Sequence, residues 1–241
     1  MNMSVLIYGK NACQEILNVE KKILNAHILE GTNKDIIHIL TRKKVPYGVL
    51  SKDKFKRMFS GNHQGVVFEI EDYQTYNLED TLNSLDLTSN PVLVMLDSIT
   101  DVHNFGAIIR TCEAAGVAGI IIPKNRSVKI SGTVAKVSSG AIEHIKIIEV
   151  TNLRNTLETL KNKGFWNVGT SLDAEKSYTE IFVDTPLCLV IGSEGKGMSR
   201  LLKETVDYNV KIDMIGKTNS LNASVSAGII IFDILRKKKV G

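Results

Sequence analysis

From Pro91 onward the chain alternates short, unbroken apolar runs with stretches of helical period, and no other feature constrains its fold as tightly. Residues 92–96 read Val-Leu-Val-Met-Leu, without a polar position. A strand with one face in water alternates apolar and polar side chains. A strand with both faces covered does not, and such coverage belongs to parallel sheets flanked by helices. Similar runs return at 118–122, 144–150, 166–170, 187–191 and 208–212. Helical stretches lie between them near 106–115, 133–140, 153–163 and 199–205, with a longer one at 222–238. Residues 91–241 therefore read as one α/β domain built around a mostly parallel sheet.

Residues 1–72 read as a separate, smaller α/β unit. A helical stripe begins after Gly9 and carries Ala12, Ile16 and Leu17. A strand is expected at 26–29, a helix from 35 to 40, a strand at 46–50, a basic helix at 52–59 and a β-branched strand at 65–70. Residues 73–90 then turn acidic (Glu79, Asp80, Asp86) and gather the turn formers Asn77 and Ser89-Asn90-Pro91. That segment reads as a linker leading into, or packed beside, the second domain, with a short helix at 78–85.

Composition excludes several classes. A hydrophobic share of 43% and a charged share of 23% are ordinary for a globular chain. Apolar runs such as 228–232 are far too short to cross a bilayer. Residues 1–9 lack the sections of a secretory signal, so a cytoplasmic location is expected. Cys13, Cys112 and Cys188 are odd in number and far apart, which favours buried thiols over disulfides or zinc ligation. His27, His38, His63, His103 and His144 have no metal-ligand spacing, and no metal is expected. The net charge of +4, with basic clusters at Lys52, Lys54, Lys56 and Arg57 and at 236–239, suits a polyanionic partner and equally a solvated surface. The last helix is apolar nearly all round, from Val225 through Ile230 and Phe232 to Leu235. Such a helix needs cover on more than one side, from its own sheet and from a partner subunit.

Three segments carry polar chemistry. In the first, an apolar strand ends at Leu96, Asn104 stands where a helix N-cap is expected, and Arg110 follows among Ile108, Ile109 and Cys112. By itself Arg110 reads first as a partly buried helix arginine bonded to a carboxylate. In the second, Gly192, Gly195 and Gly197 follow a buried strand and bracket Glu194. This is either a tight turn or a loop whose backbone approaches a ligand; it matches neither the P-loop nor the dinucleotide glycine pattern. In the third, Ser220, Asn222 and Ser224 gather at the mouth of the last helix, where capping alone would explain them.

Taken in order, Asn104-x-Gly106-x-x-x-Arg110, Gly192-x-Glu194-Gly-x-Gly197 and Ser220-Leu-Asn222-x-Ser-Val-Ser226 resemble the three motifs of the SpoU/TrmH family, RNA ribose 2′-O-methyltransferases of the SPOUT class. Gly9-Lys-Asn-Ala and Asn62-His-Gln-Gly65 are similar to the RNA-binding domain of its RlmB-type branch. The resemblance implies a catalytic domain at 91–241 with a deep trefoil knot, an RNA-binding domain at 1–72 and a homodimer. It implies S-adenosylmethionine as cofactor, surrounded by Thr170, Gly192, Glu194, Gly195, Ile212 and Leu221. It implies Arg110, Asn104, Glu194, Ser220 and Asn222 as the catalytic group. Lys52, Lys54, Lys56 and Arg57 are then candidates for RNA phosphates. The layout resembles enzymes acting on a guanosine of large-subunit (23S) ribosomal RNA, with transfer RNA as the alternative substrate. Two other classes fit these residues less well. A nucleotide-cofactor enzyme lacks its glycine signature, and a non-catalytic RNA-binding protein would have no need of Arg110, Glu194 and Asn222 together.

Overall fold

The computed structural model describes residues 4–19, 21–125 and 127–240, the last of them through its backbone alone. Residues 1–3 of the opening stretch lie outside the described residues. The elements run β1 (Ser4–Tyr8), α1 (Lys10–Asn18), β2 (Ile23–Leu29), α2 (Lys34–Arg42), β3 (Tyr47–Leu50), α3 (Lys52–Met58), β4 (Val66–Glu71) and α4 (Leu78–Asn83). They continue through β5 (Val92–Asp97), α5 (Val102–Ala114), β6 (Gly119–Pro123), α6 (Gly132–Val137), β7 (Ile147–Val150), α7 (Leu153–Asn162), β8 (Trp166–Thr170) and β9 (Lys176–Ser177). The last are β10 (Leu187–Gly192), α8 (Arg200–Thr205), β11 (Tyr208–Lys211) and α9 (Ala223–Val240). Two units result: residues 4–74 with Lys129–His144, and Thr75–Val128 with residues 145–240.

The first unit is built on a mixed sheet in the order β1-β4-β2-β3, in which β4 is antiparallel to both neighbours and β3 runs parallel to β2. Helical spacing turns Ala12, Cys13, Ile16 and Leu17 of α1, and Ile36 and Leu40 of α2, into the core. α3 carries one fully buried residue, Phe55, packed with Phe59 and Val67. β1 is absent from the sequence reading because only Ile7 of it is fully buried and its pairing partner, β4, lies far along the chain.

Residues 129–144, which the sequence reading keeps with the C-terminal domain, pack in this first unit instead. Gly132 lies so near the Leu6 carbonyl that a Cβ there would overlap it. Glu143 accepts from the Tyr73 hydroxyl at 2.5 Å and from Lys21 Nζ at 3.1 Å, and His144 pairs with Glu15 at 2.6 Å. The strand expected from 144 begins only at Ile147, because Glu143 and His144 are taken up by these polar pairs.

Residues 75–90 pack in the second unit. In the second unit Tyr76 bridges to Ile148, the Asn77 side chain caps α4, and Leu82 joins the core together with Leu78, Leu85 and Leu87. The acidic residues Glu79, Asp80 and Asp86 are the exposed side of this segment. The second unit's sheet has seven strands in the order β7-β6-β5-β10-β8-β11-β9, and every pairing in it is parallel. Every residue of β5 and of β10 is buried, as their uninterrupted apolar runs require.

α9 packs on α5 and buries Ala227, Ile230, Ile231 and Ile234. Val225 and Phe232 remain about half exposed, at 49% and 47%. The basic run at 236–239 is anchored. Lys237 Nζ donates to the carbonyls of Thr179 and Ile181 and pairs with Asp233, and Lys238 donates to the Asn90 carbonyl. Burial lowers the Lys238 pKa. No helix among the described residues is long and apolar enough to cross a membrane.

Candidate active site

A cavity of about 320 Å³ opens in the second unit, at the carboxyl ends of β8, β10 and β11, where open parallel sheets place their ligands. Thr170, Gly192, Glu194, Gly195, Ile212, Ser220 and Leu221 all line it. Every residue assigned from the sequence to the cofactor's surroundings is thus brought to one place. Leu172, Ile191, Met214 and Ile230 add apolar wall, and Asp173, Lys196, Lys203 and Lys211 add charge.

The Gly192–Gly197 segment is a tight hairpin. Ser193 and Gly197 exchange backbone hydrogen bonds at 3.1 and 2.9 Å. Gly192 is required by contact rather than by φ, since any Cβ there would fall within the backbone of Gly197 and Met198. Asp97, at the end of β5 and in register with Gly192, holds the far side of the hairpin: its Oδ2 accepts from the Ser199 N–H at 2.7 Å. Met198, buried beneath, joins the core cluster.

Glu194 rises from this hairpin, and two side-chain amides converge on its Oε2, Asn104 Nδ2 at 3.2 Å and Asn222 Nδ2 at 2.9 Å. Asn104 and Asn222 stand in the first turn of α5 and at the start of α9. The carboxylate therefore sits beside the N-terminal ends of two helices. Asn222 does two jobs. Its Oδ1 accepts from the N–H and hydroxyl of Ser224, capping α9, while its Nδ2 reaches Glu194. Capping and site construction, separate readings in the sequence, are here one residue's two ends.

Asn104 is not the N-cap of α5. Asp101 is, accepting from the Asn104 N–H at 2.8 Å, so the helix starts three residues earlier than its apolar pattern suggests. Arg110 lies further along α5, exposed, about 120° around the helix from Asn104. Of the five candidate catalytic residues, Glu194 and Ser220 line the cavity, Asn104 and Asn222 are joined to it through Glu194, and Arg110 is not part of its lining. Lys52, Lys54, Lys56 and Arg57 are all exposed on α3 in the first unit, fixed from behind by Phe55. Cys13, Cys112 and Cys188 are buried, and desolvation pushes all three thiols well above the usual range. Among the described residues, no cluster of three or more His, Cys, Asp or Glu stands ready to hold a metal.

The sequence reading missed Asp97, Asp101, Asp173 and Lys203. Asp97 and Asp101 carried local signals, a charged residue closing a buried strand and a capping type three residues before Asn104. Asp173 and Lys203 carried none, because their juxtaposition across the cavity rim is tertiary.

Residues 91–232 match the SpoU rRNA Methylase family, and residues 6–76 match the domain described as RNA 2′-O ribose methyltransferase substrate binding. A Bacillus subtilis protein, YacO, assigned to the TrmH family of tRNA/rRNA methyltransferases, is 41% identical over 237 residues, covering 96% of this chain and 95% of its own. The crystal structure of the SpoU methyltransferase AviRb from Streptomyces viridochromogenes with AdoMet superimposes with a TM-score of 0.85 at 20% identity, covering 99% of this chain and 92% of that one. That of the A. aeolicus TrmH/SpoU tRNA modifying enzyme gives 0.58 at 31% identity, covering 68% and 83%.

Proposed function

The chain belongs to the SpoU rRNA methylase family, RNA 2′-O-ribose methyltransferases that use S-adenosylmethionine, and on that premise we propose that it methylates a guanosine ribose of large-subunit ribosomal RNA at the cavity described above. The observation that carries the assignment of the site is the convergence of Asn104 and Asn222 on Glu194 at the edge of a glycine-lined pocket. The pocket fits the cofactor. Its volume of about 320 Å³ suits a nucleoside-sized ligand, Gly192 leaves no side chain between ligand and backbone, and Ile212 and Leu221 supply apolar contact. When bound, the cofactor supplies a methyl group on a positively charged sulfur that leaves as a neutral thioether.

The protein's own tasks are orientation and the handling of one proton. Both amides land on Glu194 Oε2, and we assign Oε1, or a phosphate of the bound RNA, as acceptor of the ribose hydroxyl proton. A guanidinium is a donor and not a base in proteins, so Arg110 is assigned to grip an RNA phosphate and steady the developing alkoxide. Ser220, on the cavity wall, completes the polar edge. Lys52, Lys54, Lys56 and Arg57 of the substrate-binding unit take phosphates. The homodimer and the trefoil knot belong to the same proposal. In favour of the dimer, Val225 and Phe232 are seven residues apart, so they share one exposed side of α9.

Mapping 2′-O-methylation in RNA from cells with and without the protein tests this reading. A single ribosomal guanosine that loses its methyl group supports it. Loss confined to transfer RNA transfers the activity to that substrate, and no change in any RNA refutes it.

A further inference from the structure

We propose that Asp173 accepts the ribose hydroxyls of the methyl donor, with Lys203 holding its carboxylate at the rim of the cavity. The inference rests on the reading of that cavity as the S-adenosylmethionine site. Two carboxylates line it, Glu194 and Asp173. Glu194 is engaged by two amides at the edge where the acceptor strand must arrive. Asp173 lies away from that edge. It follows β8, which sits beyond β10 from β5, the strand that leads to Asn104.

Its orientation is fixed by two neighbours. Ser171 Oγ donates to Oδ1 at 3.1 Å, and Lys203 Nζ reaches Oδ1 and Oδ2 at 3.4 and 3.2 Å. The hydrogen bond from Lys203 also holds the carboxyl below the usual carboxylate range, so it is ionised under working conditions. A carboxylate has about four acceptor positions, and these partners leave room for more donors. The donor offers two kinds of group to such an acceptor, a neutral pair of vicinal hydroxyls and a positively charged ammonium. Lys203 already balances the charge of Asp173. The hydroxyls can therefore bind without displacing Lys203, whereas the ammonium would crowd a second cation onto one carboxylate. A diol needs two acceptor oxygens side by side, and of the two carboxylates lining the cavity Glu194 is taken by the amides of Asn104 and Asn222, which leaves Asp173 to offer them.

The test is calorimetric and independent of turnover. Wild type and Asp173→Ala are titrated with S-adenosylhomocysteine, with 5′-methylthioadenosine, which lacks the amino-acid end, and with the 2′,3′-dideoxy form of 5′-methylthioadenosine. The expected result is a loss of affinity of about tenfold to a hundredfold for the first two ligands, and equal binding of the dideoxy ligand by both proteins. Asp173→Asn, which keeps one acceptor oxygen, should fall between. If the variant loses S-adenosylhomocysteine but keeps 5′-methylthioadenosine, Asp173 serves the ammonium and the proposal is overturned. Equal loss for the dideoxy ligand overturns it as well, by showing that the residue shapes the loop. Failure of the wild-type protein to bind S-adenosylhomocysteine at all would remove the cofactor reading itself, an outcome distinct from both.

Discussion

Replacing Asp97 with alanine probes how a strand end sets the geometry of the site. Asp97 is 6% exposed, and its carboxylate accepts from the Ser199 N–H at 2.7 Å and from the Ser98 hydroxyl at 2.9 Å. Alanine removes both acceptors. Hydrogen bonds to a charged group contribute about 1.5–3 kcal/mol, and Ser199 can recover part of that from water because it is exposed. A loss of about 2 kcal/mol follows, which for a chain of this size lowers the melting temperature by about 4–8 °C. The functional effect should exceed the thermal one. The hairpin that carries Glu194 is fixed on one side by β10 and on the other by Ser199, so freeing Ser199 lets Glu194 drift from Asn104 and Asn222. Scanning fluorimetry measures the first effect and calorimetry with S-adenosylhomocysteine the second. Asp97→Asn keeps an oxygen for the Ser199 N–H and should recover most of both. Unchanged melting and unchanged affinity in Asp97→Ala would refute the clamp.

Other outcomes are expected on the same footing. Arg110→Lys, which keeps the charge but loses the fork, should lower kcat at least tenfold while sparing cofactor affinity; retention of most of kcat removes Arg110 from the mechanism. Neutralising Lys52, Lys54, Lys56 and Arg57 together should reduce the slope of log affinity against log salt for RNA by about 3, and an unchanged slope leaves α3 without a role in RNA capture. This substitution is preferable to deleting residues 1–72, because residues 129–144 pack against that part of the chain. The buried thiols predict an alkaline limit. Cys13, Cys112 and Cys188 stay protonated when folded, whereas in the unfolded chain they ionise above about 9.0. Above that pH the unfolded state binds fewer protons than the folded state, so stability falls by about 4 kcal/mol per pH unit for three thiols, and is fully present below it. Denaturant midpoints at pH 8 and pH 10 check the fall, and Cys112→Ala should remove about a third of it.

The hydrophobic pattern by itself determined the second unit's layering. β5 and β10 have no polar position in their apolar runs and are buried throughout, and β8 begins and ends where its composition puts it. The residues around the cavity were legible only through the resemblance of three ordered motifs to the family's, since by themselves the glycines read equally as a tight turn and Ser220, Asn222 and Ser224 as caps. Tertiary structure decided what local signals cannot carry. Residues 129–144 follow β6 in the chain yet belong to the first unit, because the missing side chain of Gly132 lets that backbone close on Leu6, and Tyr73, Lys21 and Glu15 supply partners for Glu143 and His144. The acidic stretch at 73–90 became ordered because its leucines found the core of the second unit. The basic run at 236–239 looked like a surface cluster, but Lys237 and Lys238 are spent on backbone carbonyls far away in the chain. In each case the deciding partner is distant in sequence, and a one-dimensional pattern holds no term for a partner that only folding brings near.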